Sequence, residues 1–550
     1  MVCTSLYIPR LLLAVVTLLL LHYIYKHKHF RECTKQDNSK LTPPTELYVF
    51  PLLGSLPLTY IWNPRGFVLN SHNFFQRSHP VRVKILNYEF YVVQGAENIK
   101  VIFKNSWACT SVPFVKFALG YAFGLPPKAL SLYDKDNSGS GRVPHPDSTV
   151  EARNRVDYRV YQTLVKLLEG KGLLPFWSRF ADDITTRMCT LQSRFEGSDW
   201  EHCTDLMRLV GDEATISFVN ALCGPHLLRL NPTFLQDFWD FDHGSMHPNE
   251  LTSVSGMPWI LAPRAYAVRK RVLNAVRIWQ KHARENYTDS ARGADGDDPF
   301  WGATFFRDRQ NMFLEMDGFD HDAIASEDFG AIWAARNSIA TTSWTVFELY
   351  RDVELLEKVR GEVDACRIPG PDGRIRFNID ALLRQPVLQA VYAETLRLRM
   401  HFYMIRMPDK VDMDIRDWVI PRRKVIVTST TCAHMDTKAW NTGVNNDYPI
   451  DQFWVGRFLK EPTHPTSTPA FSTKDLEGSW MPYGGGPRQC PGRHFAKRQI
   501  LLTSALIVTL FDCEILGDGR GVKEDVSLQG FGVGISRPAS KIPVRLRRRC

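Results

Sequence analysis

Trp480-Met481-Pro482-Tyr483-Gly484-Gly485-Gly486-Pro487-Arg488-Gln489-Cys490-Pro491-Gly492-Arg493 sets one cysteine at the mouth of a glycine-rich turn, directly ahead of an apolar helical run. Glycines allow a tight turn and let backbone amides approach a sulfur atom. A free cysteine titrates near pH ~8.5, so a thiolate at neutral pH needs help, and a metal supplies it. No C-x-x-C partner and no neighbouring His/Asp triad offers this cysteine another chemistry. Taken alone, Cys-Pro-Gly is equally a plain turn before a helix, and the surrounding residues decide between the two.

The first of these lies upstream, in Ala393-Glu394-Thr395-Leu396-Arg397. Glu and Arg at i and i+3 share a helix face and can pair. On a charged helix that pair would be solvated. Here the run Val387 to Leu398 is largely apolar, so the pair is expected to be buried and to need a further partner.

Tyr483, Gly486, Arg488, Cys490 and Gly492 stand as aromatic-x-x-G-x-R-x-C-x-G, which resembles the haem-binding signature of the cytochrome P450 family, with Tyr where Phe is usual. Glu394 and Arg397 match that family's E-x-x-R. Phe453-Trp454-Val455-Gly456-Arg457-Phe458 is similar to its F-x-P-x-R-F segment, with Val455 in place of proline. The resemblance spans roughly Pro43 to the C-terminus. It implies a mainly α fold with a small β-rich lobe, and haem b ligated by the Cys490 thiolate, which favours O–O cleavage. It further implies that Arg457 closes on the Glu394–Arg397 pair. The anionic haem propionates call for arginine, whose planar fork matches a carboxylate. Arg488 and Arg406 are the matched candidates, while Arg155, Tyr158 and Arg159 either add a contact or form a solvated helix end. His434 and His494 read as structural, because a monooxygenase keeps the axial position opposite the thiolate open.

Phe329 to Trp344 reads as one long apolar helix, but the acid-alcohol pair usual in this family is missing. Asn337 and Ser338 occupy that turn, with Thr341 and Thr342 one turn on. Either these groups deliver protons through an amide, a hydroxyl and water, or they are packing polars bonded back to their own helix. The run W-A-A-R-N-S-I-A-T-T-S-W resembles the sterol 7α-hydroxylase, sterol 12α-hydroxylase and prostacyclin synthase branch. Ala433-His434-Met435-Asp436 points the same way.

Towards the N-terminus, Leu11 to Tyr25 is almost wholly apolar and, with Leu6 to Ile8, approaches the ~20 residues that cross a bilayer. Lys26, Lys28, Arg31 and Lys35 follow it against Arg10 before it, which keeps the bulk of the chain cytoplasmic. The expected organisation is a membrane anchor over 1–28, a basic, proline-rich linker over 29–54 and a catalytic domain over 55–550. A cleaved signal peptide is the alternative. Val81 to Ile85 and Phe90 to Val93 alternate as two short strands, and helical periodicity runs from about Val156 into the 350s. Met257 to Leu261 is an apolar tip that either meets a membrane or is a buried loop.

The charge of +9 is spread along the chain, which suits a membrane surface or an acidic partner and not base-specific nucleic-acid reading. Eleven cysteines, an odd number, argue for a reducing compartment. The resemblance then implies oxidation of a small lipophilic substrate (terpenoid, steroid or other polycyclic secondary metabolite) with O2. Electrons would come from NADPH through cytochrome P450 reductase, at the endoplasmic reticulum. Two rivals remain: a haem-thiolate isomerase or dehydratase that needs no reductase, and a non-catalytic haem-binding protein.

Overall fold

The structure, a computed structural model, describes residues 7–33, 40–46, 60, 63–70, 74–85, 88–139, 141–195, 199–244, 260, 262–370, 374–460, 469–517 and 531–549; within helix Tyr7–Cys33, side chains are described for 13–28. A helix that is apolar on every side has to be surrounded. Arg336–Arg351 is surrounded in this way although it carries polar side chains, and it is buried without interruption from Ile339 to Tyr350. It packs against helices Leu206–Cys223, Pro386–Arg399 and Arg493–Leu510. The last two are themselves buried over Leu388 to Arg399 and Gln499 to Leu510. Proline opens Pro386–Arg399, where its missing N–H costs nothing.

The long helix expected over Phe329 to Trp344 is broken. His321–Trp333 and Arg336–Arg351 are separated by a turn at Ala334 and Ala335. The Ala335 carbonyl accepts the Ser338 amide (3.1 Å), the Ile339 amide (3.2 Å) and the Ser338 hydroxyl (2.9 Å). A short side chain bonding locally competes with the regular ladder and bends the helix where it does so.

The β lobe is a six-stranded sheet. Val81–Ile85 pairs antiparallel with Tyr88–Val92, which lies parallel to Val425–Ser429. That strand is antiparallel to Met400–Pro408, which also takes Cys109–Thr110 and Val533–Ile535. Phe511–Ile515, Val544–Arg548 and Glu201–Cys203 form a separate three-stranded sheet. Residues 41–46, within the expected linker, are docked on the globule. The Pro44 carbonyl accepts the Arg82 amide (2.8 Å), the Glu46 amide donates to the Arg82 carbonyl (2.7 Å), and Leu41 exchanges bonds with Asp417 and Val419.

The expected anchor falls on helix Tyr7–Cys33, which exposes Leu13, Leu18, Leu21 and Ile24. Among the described residues, no helix is long and apolar enough to cross a membrane. The apolar tip Met257 to Leu261 lies outside the described residues except for Ile260, which is exposed.

Candidate functional site

The cysteine loop is shaped by close approaches that only glycine permits. Gly486 has φ +69°, and a Cβ there would sit 2.6 Å from the Phe103 carbonyl; a Cβ on Gly485 would sit 2.3 Å from the Phe103 ring. The Cys490 amide donates to the Tyr483 carbonyl at 3.0 Å, closing the turn. Cys490 thereby lands just ahead of the N-terminus of helix Arg493–Leu510, where unpaired amides and the helix dipole favour an anion. Against burial, the backbone amides of Gly492 and Arg493 pull its pKa down, and the Arg493 amide donates to the Cys490 carbonyl at 3.4 Å.

Among the described free cysteines Cys490 is the exposed one, yet protein crowds it. Burial pushes its thiol pKa up, against the pull of the Gly492 amide and the Arg493 charge. The Tyr483 hydroxyl, where the family pattern has a bare ring, meets the Tyr392 hydroxyl at 2.8 Å.

Behind the loop, Glu394 binds both arginines. Arg397 reaches it at 2.6 and 2.8 Å and Arg457 at 3.1 Å, with the side chains of all three fully buried. The Trp454 amide adds a bond at 3.1 Å. Surplus guanidinium protons go to carbonyls: Arg397 to His434 (2.9 Å), Arg457 to Tyr448 (3.0 Å), Pro449 (2.7 Å) and Asn441. Glycine at 456 leaves room for the Trp454 indole, 2.3 Å from where a Cβ would be. His434 carries the cluster onward, its Nδ1 donating to the Arg397 carbonyl (3.1 Å) and its Nε2 accepting the Met481 amide (3.2 Å). Burial, then the Arg397 charge, push its pKa down to about 3, so it is neutral with both nitrogens committed. His494 is exposed on the following helix.

Arg488 and Arg406 sit close enough to repel each other. Burial first, then Arg488, bring the Arg406 pKa down to about 10. Arg488 donates to Ser111 (2.8 Å) and Asp157 (3.3 Å); the only side-chain hydrogen bond of Arg406 among the described residues is to the Ile405 carbonyl, 2.9 Å. Asp157 thus pairs with Arg488, and Arg406 is bonded to no carboxylate among the described residues. Arg155 and Arg159 turn elsewhere, to the carbonyls of Val150 and Arg153 and to Glu315. Their neighbour Asp157 is the residue that reaches Arg488, and nothing in its spacing announces this.

At the helix break, the Asn337 Oδ1 accepts the Ile535 amide at 3.0 Å. Ser338 Oγ lies 2.8 Å from the Gln499 side-chain amide, which stitches this helix to the one following Cys490. Thr341 and Thr342, both fully buried, donate to the carbonyls of Asn337 (2.7 Å) and Ser338 (2.9 Å). Gln499 carries no signal in the sequence, because its role depends on a contact made across the fold.

Comparisons agree with this geometry. The family model for Cytochrome P450 matches residues 269–542. The chain is 30% identical to Cytochrome P450 monooxygenase efuG of Hormonema carpetanum over 536 residues, covering 92% of this chain and 90% of that protein. It is 29% identical to Cytochrome P450 monooxygenase fsoE of Humicola fuscoatra, covering 92% and 88%. With the 25-hydroxycholesterol 7-alpha-hydroxylase of Rattus norvegicus it shares 26% identity over 249 residues, 44% of this chain and 57% of that one. On this likeness along nearly its whole length the chain belongs to the cytochrome P450 family of monooxygenases, with the haem iron, dioxygen and electron donor which that family implies.

Proposed function

We propose that this chain is a membrane-anchored haem-thiolate monooxygenase that oxidises a lipophilic terpenoid, steroid or other polycyclic secondary metabolite. Residues 1–28 hold it in the membrane of the endoplasmic reticulum, 29–54 link, and 55–550 form the cytoplasmic catalytic domain, supplied with electrons by an NADPH-cytochrome P450 reductase. The observation that carries the reading is Cys490, an exposed cysteine just ahead of a helix N-terminus, with the Gly492 and Arg493 amides pulling its pKa down. The substrate class draws on the fungal monooxygenases and the sterol hydroxylase among its relatives. The anchor draws on the apolar side chains exposed along Tyr7–Cys33.

The residues present fit a haem. The Gly492 and Arg493 amides lower the Cys490 pKa, which favours a thiolate, and Arg406 is bonded to no carboxylate among the described residues, which suits a propionate. Haem b supplies the dioxygen and one-electron chemistry. The chain supplies the rest. Glu394 holds Arg397 and Arg457, Arg397 and His434 grip each other, and His434 holds the Met481 amide at the start of the loop. That series of bonds fixes where Cys490 presents its sulfur. Tyr483, Gly486 and Gly492 keep the loop's path. Asn337, Ser338, Thr341 and Thr342 are the polar groups available to a proton route, with Ser338 bridging to Gln499, and Thr341 and Thr342 would join it only by releasing the carbonyls of their own helix.

Reduced protein under carbon monoxide is expected to show the red-shifted Soret band of thiolate ligation, and Cys490→Ala to lose it. An unchanged band in that variant ends the proposal. NADPH and O2 consumed in step with product mark oxygenation, whereas peroxide turnover without either marks the isomerase.

A further inference from the structure

We propose that Arg336 is a positioning residue. With Asn337 it caps the free edge of strand Val533–Ile535, and Asp242 makes that cap depend on the seating of helix Phe234–Gly244.

Strand Val533–Ile535 pairs with Met400–Phe402 through one edge only. Its Gly532 carbonyl and the Ser536 amide face that neighbour, bonding Tyr403 and Arg399 at 2.9 Å each. Alternation along a strand therefore turns the Val533 carbonyl and the Ile535 amide outward. An uncovered edge is a row of unmet donors and acceptors. Two consecutive side chains take the place of a further strand: Arg336 Nη2 donates to the Val533 carbonyl (3.2 Å), and Asn337 Oδ1 accepts the Ile535 amide (3.0 Å). The fit is tight. Gly534 has φ +149°, and a Cβ on it would lie 2.1 Å from Asn337 Oδ1 and 2.8 Å from Arg336 Nη2.

The other arm of Arg336 reaches across to Asp242 Oδ1 at 2.8 Å, with 5% and 1% of the two side chains exposed. Asp242 Oδ2 takes Arg537 at 2.6 Å, and Arg537 in turn meets His243 Nε2 at 2.6 Å. Arg336 lies over the Trp333 ring (4.6 Å to its centre) and Arg537 over Trp239 (4.2 Å). Burial raises the Asp242 pKa but the two guanidiniums outweigh it, so the carboxylate stays charged. Phe241, one residue before Asp242, packs on Phe329 (4.9 Å) and Trp333 (6.2 Å), in the helix just ahead of the break. Movement of helix Phe234–Gly244 thus acts on Arg336 at its Asp242 end, and Arg336 acts on the strand edge and the break at its other end. Because Oδ1 of Asn337 is committed, its Nδ2 is the end of that amide left to face other groups.

The coupling stands on geometry alone, while its bearing on oxygen chemistry rests on the haem-thiolate reading above. The test is amide hydrogen exchange in the haem-loaded protein with Asp242→Asn, which keeps an oxygen for Arg336 and so protects the fold. Exchange at 533–535 and 336–339 is expected to quicken several-fold, although Asp242 does not contact the strand. Arg336→Lys, which retains the charge but not the two-ended fork, should give the same pattern. Glu362→Gln, at a carboxylate that caps the Val387 and Leu388 amides elsewhere, should leave 533–535 unchanged. A change confined to 234–244 in Asp242→Asn, or an equal change in Glu362→Gln, overturns the proposal. The C–O stretch of the reduced, carbon monoxide-bound protein should also shift in Asp242→Asn and Arg336→Lys. A wild type lacking the thiolate-type band sinks the Cys490 reading and leaves the exchange result to decide the coupling by itself.

Discussion

Two buried clusters share one stoichiometry, a carboxylate between two guanidiniums, and are built in different ways. Glu394 takes Arg397 from its own helix and Arg457 from a turn; Asp242 takes Arg336 and Arg537 from two distant segments. In each the surplus positive charge is met by backbone carbonyls or a histidine, which is what buried ions require beyond their direct partner. Each also delivers its surplus donors to something that must be held still. For Glu394 this is His434 and, through it, the cysteine loop. For Asp242 it is a strand edge and a helix break. One cluster therefore bears on the cysteine loop and the other on the break ahead of helix Arg336–Arg351.

The sharpest way to test that symmetry is to remove each centre. Glu394→Ala leaves two arginines unpaired in a fully buried site, a loss of ~3–5 kcal/mol, and is expected to yield little folded, haem-loaded protein. Normal haem content and an unchanged melting temperature would show that the carboxylate holds nothing. On the other side, Gly534→Ala drives a methyl into Asn337 and Arg336, and overpacking of this kind costs ~1–3 kcal/mol; urea unfolding measures it. An equal stability in this variant would mean that the strand edge can retreat freely.

The pH response separates the clusters further. The His434 pKa in the folded protein, about 3, lies below the ordinary 6.5. The unfolded chain therefore binds this proton first. The histidine's contribution is complete above pH 6.5 and drains away as pH falls towards 3, by up to ~1.4 kcal/mol per pH unit. His434→Gln should flatten the fall in melting temperature across that window, and a parallel fall in both proteins would exclude the assignment. The smallest effect is expected at Tyr483→Phe, which restores the usual ring and strands the Tyr392 hydroxyl. About 1 kcal/mol of stability is at stake there, with the carbon monoxide band in place; loss of the band would give the tyrosine pair a direct part in holding the thiolate.

The first cluster was legible in the sequence because its pattern is local. Glu394 and Arg397 are one turn apart on an apolar helix, and the glycines around Cys490 carry their geometric reason with them. The second was not. Asp242, Arg336 and Arg537 are separated by long stretches, and each is an unremarkable polar residue at a helix end or in a loop. The helix break was missed for the same reason: Ala334-Ala335 contains neither proline nor glycine, and an apolar run with two alanines reads as continuous helix. Beside the local Ser338 bond to the Ala335 carbonyl, the break is held from outside by the strand edge that Arg336 and Asn337 cap, and no stretch of sequence shows that contact. Asp157 shows the same limit in miniature, since the arginines beside it matched a function and the aspartate is the residue that meets Arg488.

The docking of residues 41–46, with Leu41 beside Trp418 and Thr45 beside Arg82, fixes the point at which the chain leaves the globule. Eight residue steps separate Cys33, the end of the N-terminal helix, from Leu41, and a chain of that length spans no more than about 30 Å. With that helix seated in a bilayer, as proposed, the enzyme works on a short leash. It can turn only while the edge carrying Leu41 and Thr45 stays near the lipid, so one side of the molecule is favoured to meet dissolved substrate in the membrane and the far side to meet partners from solution.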